Sequence, residues 1–186
     1  MTKEDVCFLY VGKLIPKKRI FDLLRALEEA CLGRENIRAL VVGAGELMEY
    51  AQQFASERRL PVTFTGFLNQ TEILKAYTAA DCLVLPSDFG ETWGLVVNEA
   101  MACGLPAIVS ERVGCGPDLV DDGVTGYIFP FGHVEGLAQK LIAMAEDSEN
   151  RIHMGENALR RIQDYSVEKA VEGTLQAATY VTDKDS

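Results

Sequence analysis

Short apolar runs rich in β-branched residues recur about six times in this chain, each parted from the next by a stretch with helical spacing. The runs are Val6 to Val11, Ala39 to Val42, Val62 to Phe64, Cys82 to Pro86, Ala107 to Ser110 and Tyr127 to Phe129. Continuous apolar runs of this length suit strands covered on both faces. Between them, helices are predicted at Phe21–Leu27, Leu47–Arg58, Asn69–Tyr77 and Leu95–Ala102, with a short helical turn inside Val113–Val120. Helices from Glu135 to Glu146, Glu149 to Asp164 and Ser166 to Val181 follow, and Thr182–Ser186 is expected to fray. Asn69, with Glu72 three residues on, has the spacing of a capping box. This alternation predicts an α/β fold, a doubly wound parallel sheet of about six strands with helices on both faces. At 186 residues and 48% hydrophobic, the chain can bury its core as one domain, residues 1–186. In such a sheet ligands bind at the carboxyl ends of the strands. That rule gathers the loops at 12–19, 43–46, 66–68, 90–95 and 113–118.

Charge and cysteine usage remove several classes of function. The net charge of −10 argues against a nucleic-acid binder, which needs a basic footprint for phosphates. Five cysteines without a C-x2-C pair give neither a zinc site nor a disulfide framework, so reduced thiols in a cytoplasmic protein are expected. Only two histidines occur, His133 at a predicted helix start and His153 on a charged helix, and no metal site is expected. No apolar run approaches 18 residues, and no signal peptide opens the chain.

The stretch from Asp88 to Pro106, DFGETWGLVVNEAMACGLP, carries the most chemistry. It turns from a buried strand into a helix, and a helix start presents unpaired N–H groups and partial positive charge. The turn Thr92-Trp93-Gly94 is therefore a natural phosphate seat, and Gly94 allows close approach to the backbone. Glu91 and Glu99 lie eight residues apart. If helix covers most of that interval, they are separated by about 12 Å of rise and by about 80° of rotation. That is too far for a glycosidase pair, which needs about 5 to 9.5 Å. Two carboxylates so placed can grip the ends of one long ligand. Alternatively, Glu91 is a favourable charge beside a helix start and Glu99 a solvated helix position.

The E-x7-E pattern of Glu91 and Glu99, followed by Ala100-Met101-Ala102-Cys103-Gly104-Leu105-Pro106, resembles the signature of the family 4 (group 1) retaining glycosyltransferases. Their catalytic unit has the GT-B fold, built of two Rossmann-like lobes. The resemblance runs from about Val6 to Tyr165. It implies that Glu91 contacts the donor sugar, that Glu99 binds the ribose, and that the backbone of Trp93, Gly94 and Leu95 cradles the diphosphate.

The first loop, Gly12-Lys13-Leu14-Ile15-Pro16-Lys17-Lys18-Arg19, sets four of the chain's eighteen cations within seven residues. It is either a ligand-facing cluster or a solvated one that serves solubility. It is similar to the family's G-R-L-x(3)-K-G motif, whose two cations neutralise the donor diphosphate; here these are Lys13 and Lys18. Lys13 replaces the motif's Arg and loses a bidentate fork. Arg19 replaces its Gly, and its side chain either crowds the phosphate or adds a third cation.

Gly43-Ala44-Gly45-Glu46 looks like a dinucleotide fingerprint but fails it. Met48 stands at the third glycine, and the run follows the second strand, not the first. Gly43 and Gly45 are expected to make a tight turn that borders the donor cleft. In the family the nucleotide base lies against the turn Gly66-Phe67-Leu68; Phe67 read alone is an ordinary core aromatic. Val113–Val120 resembles the segment before the family's d-G-x-T-G motif, here Asp122–Gly126. Cys115 within it is either a reactive thiol or a passive small residue, and no base is visible beside it in sequence.

The resemblance implies the donor-binding lobe of a glycosyltransferase that moves a hexose-type sugar, with retention, from a UDP-, GDP- or ADP-sugar to an unknown acceptor. No cofactor is required on this reading, because cations and amides take a metal's role. The N-terminal acceptor lobe is absent from the 186 residues, and the isolated lobe is expected to bind nucleotide weakly and to transfer no sugar. The longer enzyme has room for a peripheral membrane contact. Two rivals stay open: a non-catalytic nucleotide-sugar binding subunit, and an NAD-binding oxidoreductase domain.

Overall fold

The computed structural model describes residues 5–184. Six strands form one parallel sheet: β1 (Val6–Val11), β2 (Ile37–Val42), β3 (Val62–Gly66), β4 (Cys82–Leu85), β5 (Ala107–Ser110) and β6 (Gly126–Phe129). Their spatial order is β3-β2-β1-β4-β5-β6. Every pairing is parallel, from Val6 beside Ile37 to Ser110 beside Phe129. This is the doubly wound arrangement, and its order reverses between β1 and β4.

The helices are α1 (Ile20–Ala30), α2 (Met48–Glu57), α3 (Gln70–Ala79), α4 (Leu95–Ala102), α5 (Gly116–Leu119), α6 (Val134–Glu146), α7 (Ser148–Ile162) and α8 (Val167–Lys184). Two 3₁₀ turns, Pro16–Lys18 and Gln163–Tyr165, complete the list. Side chains alternate across a strand, so the buried run of β1 feeds two cores. Phe8 and Tyr10 face α1, α2 and α6, together with Leu24, Leu27, Leu137 and Leu141. Leu9 and Val11 face α3, α4 and α7, together with Tyr77, Val97, Met101 and Ala158. Both faces are covered, which is why these strands show no polar alternation.

Several boundaries differ from expectation. β2 begins at Ile37, two residues early, because the edge of the core already covers it. α8 runs to Lys184, past the expected fraying point at Thr182; Asp185 and Ser186 lie outside the described residues. Within 91–99, helix begins only at Leu95, so the expected 12 Å of continuous helical rise between Glu91 and Glu99 does not exist. Gly94, at φ 104°, interrupts the helix there: its left-handed backbone is the N-cap. Asn69 caps α3 as expected, its Oδ1 accepting from the amides of Thr71 and Glu72 at 3.0 Å each. His133 starts α6, its Nδ1 accepting from the Gly136 amide at 2.9 Å.

Candidate functional site

The reversal of strand order opens the carboxyl edge between β1 and β4, and two loops meet across it. The β1–α1 loop brings Lys17 and Lys18; the β4–α4 loop brings Asp88 to Gly94. The Asp88 amide donates to the Lys17 carbonyl at 3.0 Å, and Lys17 Nζ reaches the Gly90 carbonyl at 3.4 Å. On this backbone frame, Lys18 Nζ forms an ion pair with Glu91 Oε2, and both side chains are less than one-fifth exposed. Two residues singled out separately in the sequence are thus one charge pair. Lys13 lies exposed at the other side of the loop and makes no ion pair or side-chain hydrogen bond among the described residues. Beneath it, the buried Tyr10 hydroxyl donates to the Lys13 carbonyl at 3.2 Å. Burial, followed by the charge of Glu91, raises the pKa of that phenol.

Arg19 resolves the question of its side chain. Its backbone sits at φ 55°, ψ 37°, the left-handed region that favours glycine, the residue of the motif this loop resembles. An arginine there costs about 1–2 kcal/mol of backbone strain. Its guanidinium is held as a fork on the buried Asp22, with Nε to Oδ2 at 2.8 Å and Nη2 to Oδ1 at 2.9 Å. The charge is neutralised locally and is not aimed at the phosphate seat.

The next stretch of the edge is the start of α4. No side chain caps it, so the first-turn amides after Gly94 lack a side-chain acceptor. This leaves the helix start open to an anion. Gly94 is required for packing as well as for the turn: a Cβ would lie 3.1 Å from Leu85 and 3.3 Å from Val113. Leu95, the first residue of α4, is 68% exposed and adds an amide, not a buried side chain, to the helix start. The Trp93 indole turns away from the seat: its Nε1 donates to Asn98 Oδ1 at 2.8 Å, and its ring packs against Tyr165. Only its backbone remains in the turn.

Further along α4, Glu99 Oε2 accepts a 2.5 Å hydrogen bond from the hydroxyl of Tyr77 on α3. Tyr77 is otherwise buried, and its pKa is raised by burial and by this bond. The second carboxylate oxygen of Glu99 stays available. In sequence, Tyr77 looks like one more apolar position of a helix. Its role arises because the β3-to-β4 crossover carries α3 beside α4.

The segment 113–116 also turns out to be a buttress. The Gly114 amide donates to the Glu91 carbonyl at 3.0 Å and the Cys115 amide to the Trp93 carbonyl at 2.9 Å. A Cβ on Gly114 would lie 2.0 Å from the Thr92 oxygen. Cys115 is fully buried, and burial pushes its thiol up to about 12, so it is the passive residue and not a reactive one.

At the β1–β3 end of the edge lies a cavity of about 560 Å³, lined by Val11–Lys13, Val42–Gly45, Phe67, Leu68 and Ile73. Backbone bonds knit its walls: Gly12 N to Val42 O at 3.0 Å, Leu14 N to Ala44 O at 3.0 Å and Gly43 N to Gly66 O at 2.8 Å. Gly43, at φ 131°, would place a Cβ 1.9 Å from the Gly12 oxygen, and Gly45 would place one 2.4 Å from the Leu14 oxygen. These two glycines therefore let one loop lie on another. Phe67 is 79% exposed, which corrects its reading as a core aromatic.

The five cysteines are free thiols. Among the described residues no cluster of three metal-ligating side chains occurs, and no helix is long and apolar enough to cross a membrane.

An apolar cavity, an uncapped helix start and paired charges along the carboxyl edge of a doubly wound sheet define the ligand-binding class of α/β lobes. Residues 2–161 match the family described as Glycosyl transferases group 1, and the chain belongs to that family. It is 33% identical over 165 residues to the sulfoquinovosyl transferase SQD2 of Arabidopsis thaliana, covering 87% of this chain and 31% of that protein. It is 34% identical over 194 residues to the D-inositol 3-phosphate glycosyltransferase of Kribbella flavida, covering 98% and 45%. The chain thus spans less than half the length of these curated relatives. Among solved structures, the fold is similar to TarM of S. aureus in complex with fondaparinux, alpha-GlcNAc-glycerol and UDP. The TM-score is 0.84 at 20% identity, over 95% of this chain and 36% of that one. It is also similar to Anabaena Alr3699/HepE in complex with UDP-glucose, with a TM-score of 0.79 at 24% identity, over 93% and 49%. These likenesses identify the lobe as one of GT-B type, and family membership leaves the oxidoreductase alternative without support.

Proposed function

We propose that this chain, residues 1–186, is the donor-binding lobe of a retaining glycosyltransferase and holds a nucleoside diphosphate sugar along its sheet edge. The base enters the apolar cavity beside Phe67 and Leu68, against the backbone of Gly12, Gly43 and Gly45. Glu99, steadied by Tyr77, accepts from the ribose hydroxyls. The diphosphate lies over the amides of Gly94 and Leu95, with Lys13 and Lys18 beside it. Glu91 contacts hydroxyls of a hexose-type sugar. As the glycosidic bond breaks, charge accumulates on the departing diphosphate, and the two lysines with the helix start stabilise it in place. No step in this scheme calls on a metal ion.

The observation that carries the reading is the Tyr77–Glu99 bond beside an uncapped α4: a carboxylate fixed one helical turn from an anion seat suits a ribose joined to phosphates. The acceptor would be bound by a second lobe of a longer protein, so the isolated lobe is predicted to bind donor and to turn over none. Saturation-transfer NMR against UDP, GDP, ADP and NAD tests this. Binding of a nucleoside diphosphate in preference to NAD supports the reading, and preference for NAD overturns it. Measurable transfer by the isolated chain to simple acceptors would overturn the two-lobe requirement.

A further inference from the structure

Beyond Glu91, at the β5–β6 end of the same edge, three side chains form an ordered stack. Arg112 follows β5, Phe89 lies in the β4–α4 loop, and Phe131 follows β6. The Arg112 guanidinium carbon lies 4.4 Å from the Phe89 ring centroid and 4.1 Å from that of Phe131. Arg19 also lies against Phe131, at 5.2 Å, but its donors are taken by Asp22. Arg112 differs. Among the described residues, no carboxylate or carbonyl accepts from its guanidinium, while its backbone amide is anchored to Ser110 Oγ at 3.3 Å. Ser110 Oγ donates in turn to the Ser87 carbonyl at 2.5 Å, so Arg112 is fixed relative to the loop that carries Glu91.

This geometry has a chemical consequence. Two rings bracket the guanidinium and restrict its rotamers, so little further side-chain entropy is lost when its N–H edge meets a ligand. A fork of donors without a partner matches a carboxylate or a phosphate group. The sheet order gives the position along the donor: the base cavity lies at β3-β2-β1, the charges at β1 and β4, and Arg112 one strand further, at β5. Adjacent strands are about 4.8 Å apart, so the stack lies next to the sugar contact, on the side away from the base.

We propose that Arg112, held by Phe89 and Phe131, is an anion-recognising residue that takes a carboxylate or phosphate group carried by a sugar substrate. The inference rests on the donor-lobe reading above. The anion can belong to the donor sugar or to the acceptor, and the two sources are separable. In calorimetry on the 186-residue chain, UDP-glucuronate is compared with UDP-glucose for a donor anion. Glucose 6-phosphate and glucuronate are compared with glucose on the UDP-saturated chain for an acceptor anion.

One of the two arms is expected to show a gain of roughly tenfold for the anionic ligand, the scale of a charge-assisted hydrogen bond. The gain disappears in Arg112→Ala and is mostly absent in Arg112→Lys, which keeps the charge without the fork. Phe131→Ala reduces it while preserving the guanidinium. If UDP binds but neither arm depends on Arg112, the proposal is overturned and the donor site stands. If no nucleoside diphosphate binds, the donor reading falls and this subsite falls with it.

Discussion

The two ends of the ligand edge are built from different materials. At the β1–β3 end, the cavity wall is backbone and apolar side chain, and glycines at 43 and 45 let one loop rest on another at distances no Cβ tolerates. Across the β1–α1 and β4–α4 loops and on to β6, the surface is made of charged side chains held in place: Lys18 with Glu91, Arg19 with Asp22, Arg112 against two phenyl rings. A backbone wall recognises shape and is intolerant of added atoms, whereas a charged wall recognises ligand charge and is tuned by exchanging side chains. Variation in substrate is therefore expected to concentrate at the second end, and loss of fold at the first.

Gly43→Ala is the severest way to break that contrast. It forces a Cβ onto the Gly12 carbonyl at a positive φ, and roughly 3 kcal/mol of lost stability is expected. For a chain of this size, that is a fall in Tm of roughly 6–12 °C by calorimetry. A variant that melts like the wild type would show that the loops are not in contact. Lys18→Ala, by contrast, acts on the ligand. Removing a charged partner of the diphosphate is worth about 1.5–3 kcal/mol, or roughly 10- to 150-fold in nucleotide affinity. Calorimetric titration at two salt concentrations checks both the loss and its expected decline at high salt.

Tyr77→Phe sharpens the account of the ribose contact. About 1 kcal/mol is expected, roughly fivefold in affinity for UDP. The preference for ribose over 2′-deoxyribose nucleotide should shrink with it, a change that general loosening of the core would not produce. A further effect is one of pH. Burial holds the Cys7 thiol up to about 11 and the Cys115 thiol up to about 12, against an ordinary value of 9.0. Both stay protonated in the native state where the unfolded chain ionises them. Stability from this source is therefore intact below pH 9 and declines from pH 9 through 11 for Cys7 and through 12 for Cys115. Urea midpoints at pH 8, 9 and 10 test the slope; a midpoint that rises with pH has the wrong sign.

Strand–helix alternation displayed the fold because both faces of the sheet are covered and each strand is a plain apolar run. The charged residues of the site were equally legible, since Lys13, Lys18, Glu91 and Glu99 stand in recognisable spacing. What was hidden depends on contacts between distant segments. Tyr77 meets Glu99 only through the crossover from β3 to β4. Gly114 buttresses Glu91 only because β5 lies beside β4. Phe67 looked like core because an isolated aromatic in a short loop carries no sign of which side faces water. Arg19 is ambiguous for a local reason: its partner, Asp22, is one helical turn away, and the sequence does not show that this carboxylate is buried.

The central claim is that one elongated anion lies from the apolar cavity across the start of α4. Backbone ¹⁵N–¹H spectra of the chain titrated with UDP test it most directly. The account predicts that the amides of Gly12, Phe67, Leu68, Gly94 and Leu95 shift together along one saturation curve, and that Glu99→Ala weakens that curve. Shifts confined to the separate pocket around Asp118, Asn157 and Arg161, with those five amides unmoved, would contradict it.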